Sequence, residues 1–187
     1  MELPNKEQCR NLYSRYHTPE NIQDHMGAVA ALGVELAQAI EGAGYEVNVA
    51  LVLAAARLHD LVRIEEQWQY LSSDITVPLQ HAEINYLILR EKYPEVASVI
   101  RTHSLMTLLD EPDALESWEN KIVYYADKRV NNDKIVTLEE RLIIGNERWH
   151  VKPEMDQTDK ILPKLKELEA EIFKSIKFLP EDLSINL

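Results

Sequence analysis

The stretch VNVALVLAAARLHDLVR, residues 47–63, is apolar through its middle and closes on an imidazole and a carboxylate, His59 and Asp60. Val52, Ala56, His59 and Arg63 recur at helical spacing with Leu53 and Asp60 beside them, which predicts one helix from Val47 to Arg63. The small residues Ala54, Ala55 and Ala56 allow a second helix to approach closely. Neighbouring helical side chains differ in direction by about 100°. A long imidazole and a short carboxylate can still converge on one ion, although a His-Asp pair alone is weak evidence of that.

Working outward, the same periodicity continues on both sides. Thr18 before Pro19 has the chemistry of a helix start, and His25, Val29, Leu32, Leu36 and Ile40 then share one face until Gly42 and Gly44 end it. Downstream, residues 65–78 break the pattern as far as Pro78, after which His81, Ile84, Asn85 and Ile88 form a stripe. Pro94 opens a short helix with Val96, Val99, Ile100 and His103 on one face. Residues 104–117 read as a loop with an acidic break at 111–113. A fifth helix, Trp118 to Asn131, lines up Asn120, Val123, Tyr124, Asp127 and Val130, and a sixth carries Ile161, Leu165, Leu168, Ile172 and Ile176. The fold class expected is all-α, a bundle of six or more helices, with the tail after Pro180 frayed.

Composition narrows what such a bundle can do. With 45% hydrophobic residues in 187, the chain can fill one core, and 5 Gly and 8 Pro leave long uninterrupted helices. The single cysteine, Cys9, forms no internal disulfide, and the N-terminus lacks a secretory layout, so a cytoplasmic location is expected. No apolar run approaches the roughly 20 residues of a membrane span. A net charge of −12 opposes binding to extended nucleic acid, yet permits a small anionic substrate where a metal ion and local cations reverse the field. A homo-oligomer is compatible with all of this.

Four of the six histidines, together with Asp60 and Asp127, fall on the apolar faces. A buried imidazole or carboxylate is costly unless hydrogen-bonded, paired or bound to metal. Any one of them is more often a satisfied core residue, but several on converging faces favour a shared cation. His17 and His150 lie outside the stripes and read as exposed or helix-end residues.

The pattern resembles the HD-domain superfamily. The resemblance rests on His25 in ENIQDHMGAVAALG, His59 and Asp60 in AAARLHDLVR, and Asp127 in KIVYYADKRV, over residues 18–145. It implies a single HD-type domain over residues 1–187, with its core at 18–145 and a C-terminal packing helix at 155–179. It further implies that His25, His59, Asp60 and Asp127 hold a divalent metal, and that the chain hydrolyses phosphate esters or anhydrides.

His81 in LQHAEIN and His103 in IRTHSLM resemble the two additional histidines of dinuclear HD proteins, among them HD-GYP phosphodiesterases and bacterial dinucleoside tetraphosphate hydrolases. Asp60 would then bridge two ions and orient the attacking water. The GYP signature is absent, so cyclic dinucleotide specificity is not implied. The mixed ligand set suits one or two divalent or trivalent ions, with iron favoured by the resemblance and manganese, zinc or cobalt compatible. Arg63, Lys128, Arg129 and Arg101 are the cations expected near a substrate phosphate.

The leading expectation is a metal-dependent phosphohydrolase for a small phosphorylated metabolite, a nucleotide or dinucleoside polyphosphate, attacked by metal-bound water. Two others stand beside it: a di-iron oxygenase of the same superfamily, and a non-catalytic module in which metal holds the helices and the C-terminal helix meets a partner.

Overall fold

The computed structural model of the chain describes residues 2–73, 75 and 79–184. Among them the architecture is all-α apart from one small hairpin: α1 (Lys6–Arg15), α2 (Glu20–Gly42), α3 (Val49–Leu58), α4 (His81–Leu89), α5 (Pro94–Arg101), α6 (Thr107–Asp110), α7 (Trp118–Arg129), β1 (Val130–Asn131), β2 (Lys134–Ile135), α8 (Leu138–Arg148) and α9 (Thr158–Lys174). No helix among the described residues is long and apolar enough to cross a membrane.

The expected apolar stripe of α2 is the core. Val29, Leu32, Leu36 and Ile40 are fully buried, and α2 packs against α3 and α7. Close approach to α3 needs Gly33, where a Cβ would stand 3.2 Å from a methyl of Val52. Ala54, Ala55 and Ala56 of α3 are likewise buried. Thr18 marks the start of α2 but does not cap it. The cap position is Pro19, and the Thr18 hydroxyl instead donates to Leu61 O at 2.7 Å.

The helix expected over 47–63 ends at Leu58, short of the residues that carry the chemistry. Beyond it, distant side chains take over the backbone groups a helix would have used. Asn85 Nδ2 donates to His59 O at 2.8 Å and to Val62 O at 3.2 Å, while its Oδ1 accepts from Val62 N at 2.9 Å. Gln67 accepts from Arg63 N and Ile64 N and donates to Leu61 O. With the backbone groups of His59 O, Leu61 O, Val62 N and O, Arg63 N and Ile64 N paired in this way, the helix gains little by continuing.

Likewise the helix expected to reach Asn131 stops at Arg129, because Val130 and Asn131 pair antiparallel with Ile135 and Lys134. Asn132 turns the hairpin at φ 55°, the left-handed region that asparagine tolerates better than most residues.

Three helices are absent from the sequence reading. The helices α1 and α8 bury few side chains, Cys9 in one and Leu138 and Leu142 in the other, so their apolar periodicity is faint. Both open on a capping box, Asn5 with Gln8 and Thr137 with Glu140, which is the signal that marks them. The short α6 lies in the stretch read as a loop. The C-terminal helix spans Thr158–Lys174 and buries Ile161, Leu165, Leu168 and Ile172 against α6, α7 and α8, with Ile176 past its end. The tail is not wholly frayed: Pro180 O accepts from Arg129 Nη2 at 3.2 Å and Leu183 is buried, while residues 185–187 lie outside the described set. In the expected loop at 65–78, Glu65–Tyr70 form a 3-10 helix, and residues 74 and 76–78, with the break at Pro78, are also outside it.

Candidate metal centre

Six side chains from five parts of the chain meet at one place. His25 comes from the second turn of α2, His59 caps α3, Asp60 follows in the turn, and His81 opens α4. His103 lies just past α5, and Asp127 sits in the last turn of α7. All are buried except His81, which keeps 24% of its side chain exposed. Two groups result, His25 with His59 and Asp127, and Asp60 with His81 and His103, each with donor atoms within 4.8 Å of one another. His59 Nε2 joins them, 3.6 Å from Asp127 Oδ1 and 3.7 Å from Asp60 Oδ2. Asp60 Oδ1 is 3.3 Å from His81 Nε2 and 3.4 Å from His103 Nε2.

Backbone carbonyls set the direction of the lone pairs. The Nδ1 of His25, His59 and His103 faces Asn132 O at 3.1 Å, Ala56 O at 2.8 Å and Ile100 O at 2.5 Å. A carbonyl can only accept, so each Nδ1 carries the proton, and in the neutral ring Nε2 presents its lone pair inward. The hairpin turn at Asn132 thus orients His25. His81 differs, because its Nδ1 faces Arg63 Nη1.

Inside the cluster, His59 Nε2 and Asp60 Oδ1 are buried without any hydrogen-bond partner, the two such side-chain atoms among the described residues. Buried acceptors without partners are unfavourable in a protein interior, and a cation beside them removes the penalty. Imidazole nitrogens and carboxylate oxygens in this number fit a first-row divalent ion.

The electrostatics agree. Burial would raise the Asp127 carboxyl, but the Lys128 ammonium, with His25 and His59, holds it well below the usual carboxylate range. Asp60 is likewise held well below that range, burial being outweighed by His59, Arg63, His103 and His81. Burial pushes the His81 and His103 imidazoles down, whereas at His59 the Asp60 and Asp127 charges overcome burial and push it up.

A cavity of about 400 Å³ opens onto Asp60, His81, His103 and Asp127. Of the cations expected beside it, two line it. Arg63 Nε is 3.1 Å from Asp60 Oδ2, and the buried Lys128 ammonium pairs with Asp127 and donates to His103 O at 2.8 Å. The other two are corrected. Arg101 is exposed and paired with Glu83 at 2.9 Å, because the α5 face carrying it turns away from the cluster. Arg129 is buried on the far side of α7, bound to Tyr125, Glu169 and the carbonyls of Val136 and Pro180. Arg129 braces the fold, whereas Arg101 makes a surface ion pair. His17, stacked on Tyr70 at 4.0 Å, and His150 are exposed and lie outside the cluster.

Arg141 and Trp149 line the same cavity and were not anticipated. Arg141 Nη2 approaches Asp127 Oδ1 at 3.8 Å, and the Trp149 ring lies 5.1 Å from the Arg63 guanidinium. Both depend on α8, so the Thr137–Glu140 capping box was the sequence signal leading to them.

Comparison with known proteins agrees with this geometry. Residues 22–132 match the family model described as HD domain. An uncharacterized protein of Methanocaldococcus jannaschii is 29% identical over 133 residues, 65% of this chain and 73% of its own length. No solved structure matches significantly.

Proposed function

The chain belongs to the HD-domain family, and on that premise we propose that it is a metal-dependent phosphohydrolase acting on a small phosphorylated metabolite. His25, His59 and Asp127 would hold one ion, and Asp60, His81 and His103 a second. Ions so held supply Lewis acidity and a lowered pKa for water, whichever of iron, manganese, zinc or cobalt is bound. The observation that carries the substrate class is a reversal of charge. In a chain of net charge −12, the cavity at the cluster is lined by three cations, Arg63, Lys128 and Arg141, against two carboxylates.

The residues divide the work. Arg63 and Arg141 offer planar, multidentate donors to phosphoryl oxygens at the open side of the cluster. Lys128, already fixed by Asp127 and His103 O, offers a positioned charge that needs no reorganisation when a phosphoryl group arrives. The carbonyl-anchored rings of His25, His59 and His103 keep their Nε2 atoms in place. Hydrolysis by water activated at the ions would need no covalent protein intermediate.

Elemental analysis of the purified protein, joined to phosphate release from a panel that includes nucleotides and dinucleoside polyphosphates, tests this. His59→Ala should lose metal and activity together, and His81→Ala should lose one ion per chain. Full metal content and activity in His81→Ala would reduce the centre to one ion. A protein with no bound metal and no phosphate release would end the reading.

A further inference from the structure

The cavity has two kinds of wall, and they come from different parts of the chain. Asp60, His81, His103 and Asp127 lie within residues 22–132, the stretch matching the HD family, whereas α8 and Trp149 lie beyond it. On α8, Leu138, Arg141 and Leu142 stand at i, i+3 and i+4 and so share one face. Arg141 reaches back to Asp127, and the two leucines are buried hydrocarbon. Leu105, Met106 and Val151 extend that apolar surface.

We propose, resting on the hydrolase reading above, that α8 and Trp149 form the site for the organic part of the substrate, and that this part is one compact, uncharged, apolar ring on a single phosphoryl group. Arg141 marks where the phosphoryl end stops and the leucines mark where the organic end begins. No carboxylate other than Asp60 and Asp127 lines the cavity among the described residues, so nothing there pairs with a cationic substituent. Gln80, Ser104 and Asn146 are the polar uncharged side chains of the lining, so a heavily hydroxylated group would find few partners along the leucine face.

Size points the same way. A volume of about 400 Å³ is at the low end of the roughly 300–1,000 Å³ range of small-molecule sites. It suits one ring and one phosphoryl group rather than two nucleosides joined by a polyphosphate. Trp149 is 57% exposed at the mouth, with the Arg63 guanidinium beside its ring, and offers a flat surface next to the phosphate-facing cation.

The test uses the full chain loaded with manganese and three probes: 1-naphthyl phosphate, inorganic pyrophosphate and diadenosine tetraphosphate. The proposal expects kcat/KM for 1-naphthyl phosphate to exceed that for diadenosine tetraphosphate. Trp149→Ala, at an exposed position that does not hold the fold, should raise the KM for 1-naphthyl phosphate about tenfold with kcat little changed, and leave pyrophosphate untouched. Calorimetry with the non-hydrolysable 1-naphthylphosphonate should show the same about tenfold weakening.

Unchanged KM and unchanged phosphonate affinity in Trp149→Ala, or a preference for diadenosine tetraphosphate, overturns the proposal. The binding arm separates the two readings. Phosphonate binding that depends on Trp149 in a protein that cleaves nothing supports the ring site and removes the hydrolase. Pyrophosphate cleavage without phosphonate binding does the reverse.

Discussion

The guanidinium Nη1 of Arg63 lies 2.8 Å from Nδ1 of His81. A guanidinium only donates, so this ring nitrogen carries the lone pair and the proton of neutral His81 sits on Nε2, 2.9 Å from His103 Nε2. That is the opposite arrangement from His25, His59 and His103, whose Nε2 atoms face inward unprotonated. The group around Asp127 is therefore ready for an ion, while the group around Asp60 must first release Arg63.

Two unequal sites are expected in titration calorimetry with manganese. Arg63→Met should tighten the weaker one by about tenfold and leave the stronger one unchanged. If the weaker site stays as it was or is lost, Arg63 is not its competitor.

Asn85 should be among the most sensitive positions for stability. It is fully buried and makes three hydrogen bonds to the turn that carries His59 and Asp60. Asn85→Ala strands those backbone groups, at a cost of about 2–4 kcal/mol. The midpoint in thermal unfolding should drop by roughly 5–15 °C. A drop under a degree or two would show that water replaces the side chain.

Three of the expected cations should separate by role. Lys128→Met should lower phosphate release by about 100-fold, the scale of losing one fixed transition-state donor. It should also destabilise the chelator-treated protein, by up to about 3–5 kcal/mol, since buried Asp127 loses the ammonium beside it and keeps only His25, His59 and Arg141. Arg101→Ala should change neither, because its guanidinium is on the surface. Arg129→Met should lower stability through Glu169 while kcat holds. Equal losses of activity in Arg101→Ala and Lys128→Met would contradict the geometry.

Acid should unfold the chelator-treated protein in two stages. His81 and His103 have folded pKa values below the ordinary value, so the unfolded chain binds protons first, and stability falls as pH drops below about 6.5. His59 works against this, since its raised folded pKa adds stability below about 6.5 that is lost as pH rises through the folded value. Asp60 and Asp127, held low in the folded state, contribute stability above about pH 4 that disappears as pH falls toward their folded values. Urea midpoints from pH 8 to pH 3 measure both limbs. A shallower slope between pH 7 and pH 5 in His103→Asn than in the parent, and one shallower still when His81→Asn is added, would assign the upper limb.

Much of this was legible in the chain order. The α2 stripe from Val29 to Ile40, the apolar run before His59 and the isolated Asp127 on an apolar helix follow from side-chain periodicity, which is local and survives without tertiary information. What escaped was whatever depends on partners far apart. The end of α3 at Leu58 is set by Asn85 and Gln67, the end of α7 by the pairing of Val130 with Ile135, and neither partner is visible from within the helix concerned.

The same division runs through the centre itself. The sequence determined which residue types could ligate or carry charge, because hydropathy puts His25, His59, His103 and Asp127 on inward faces. Only the tertiary structure decided which cations join them. Arg63 and Lys128 turn toward the cavity while Arg101 and Arg129 turn away, and Arg141 arrives on a helix with only two buried side chains. A long flexible side chain on a helix end can reach in several directions, and its direction is fixed by what packs around it.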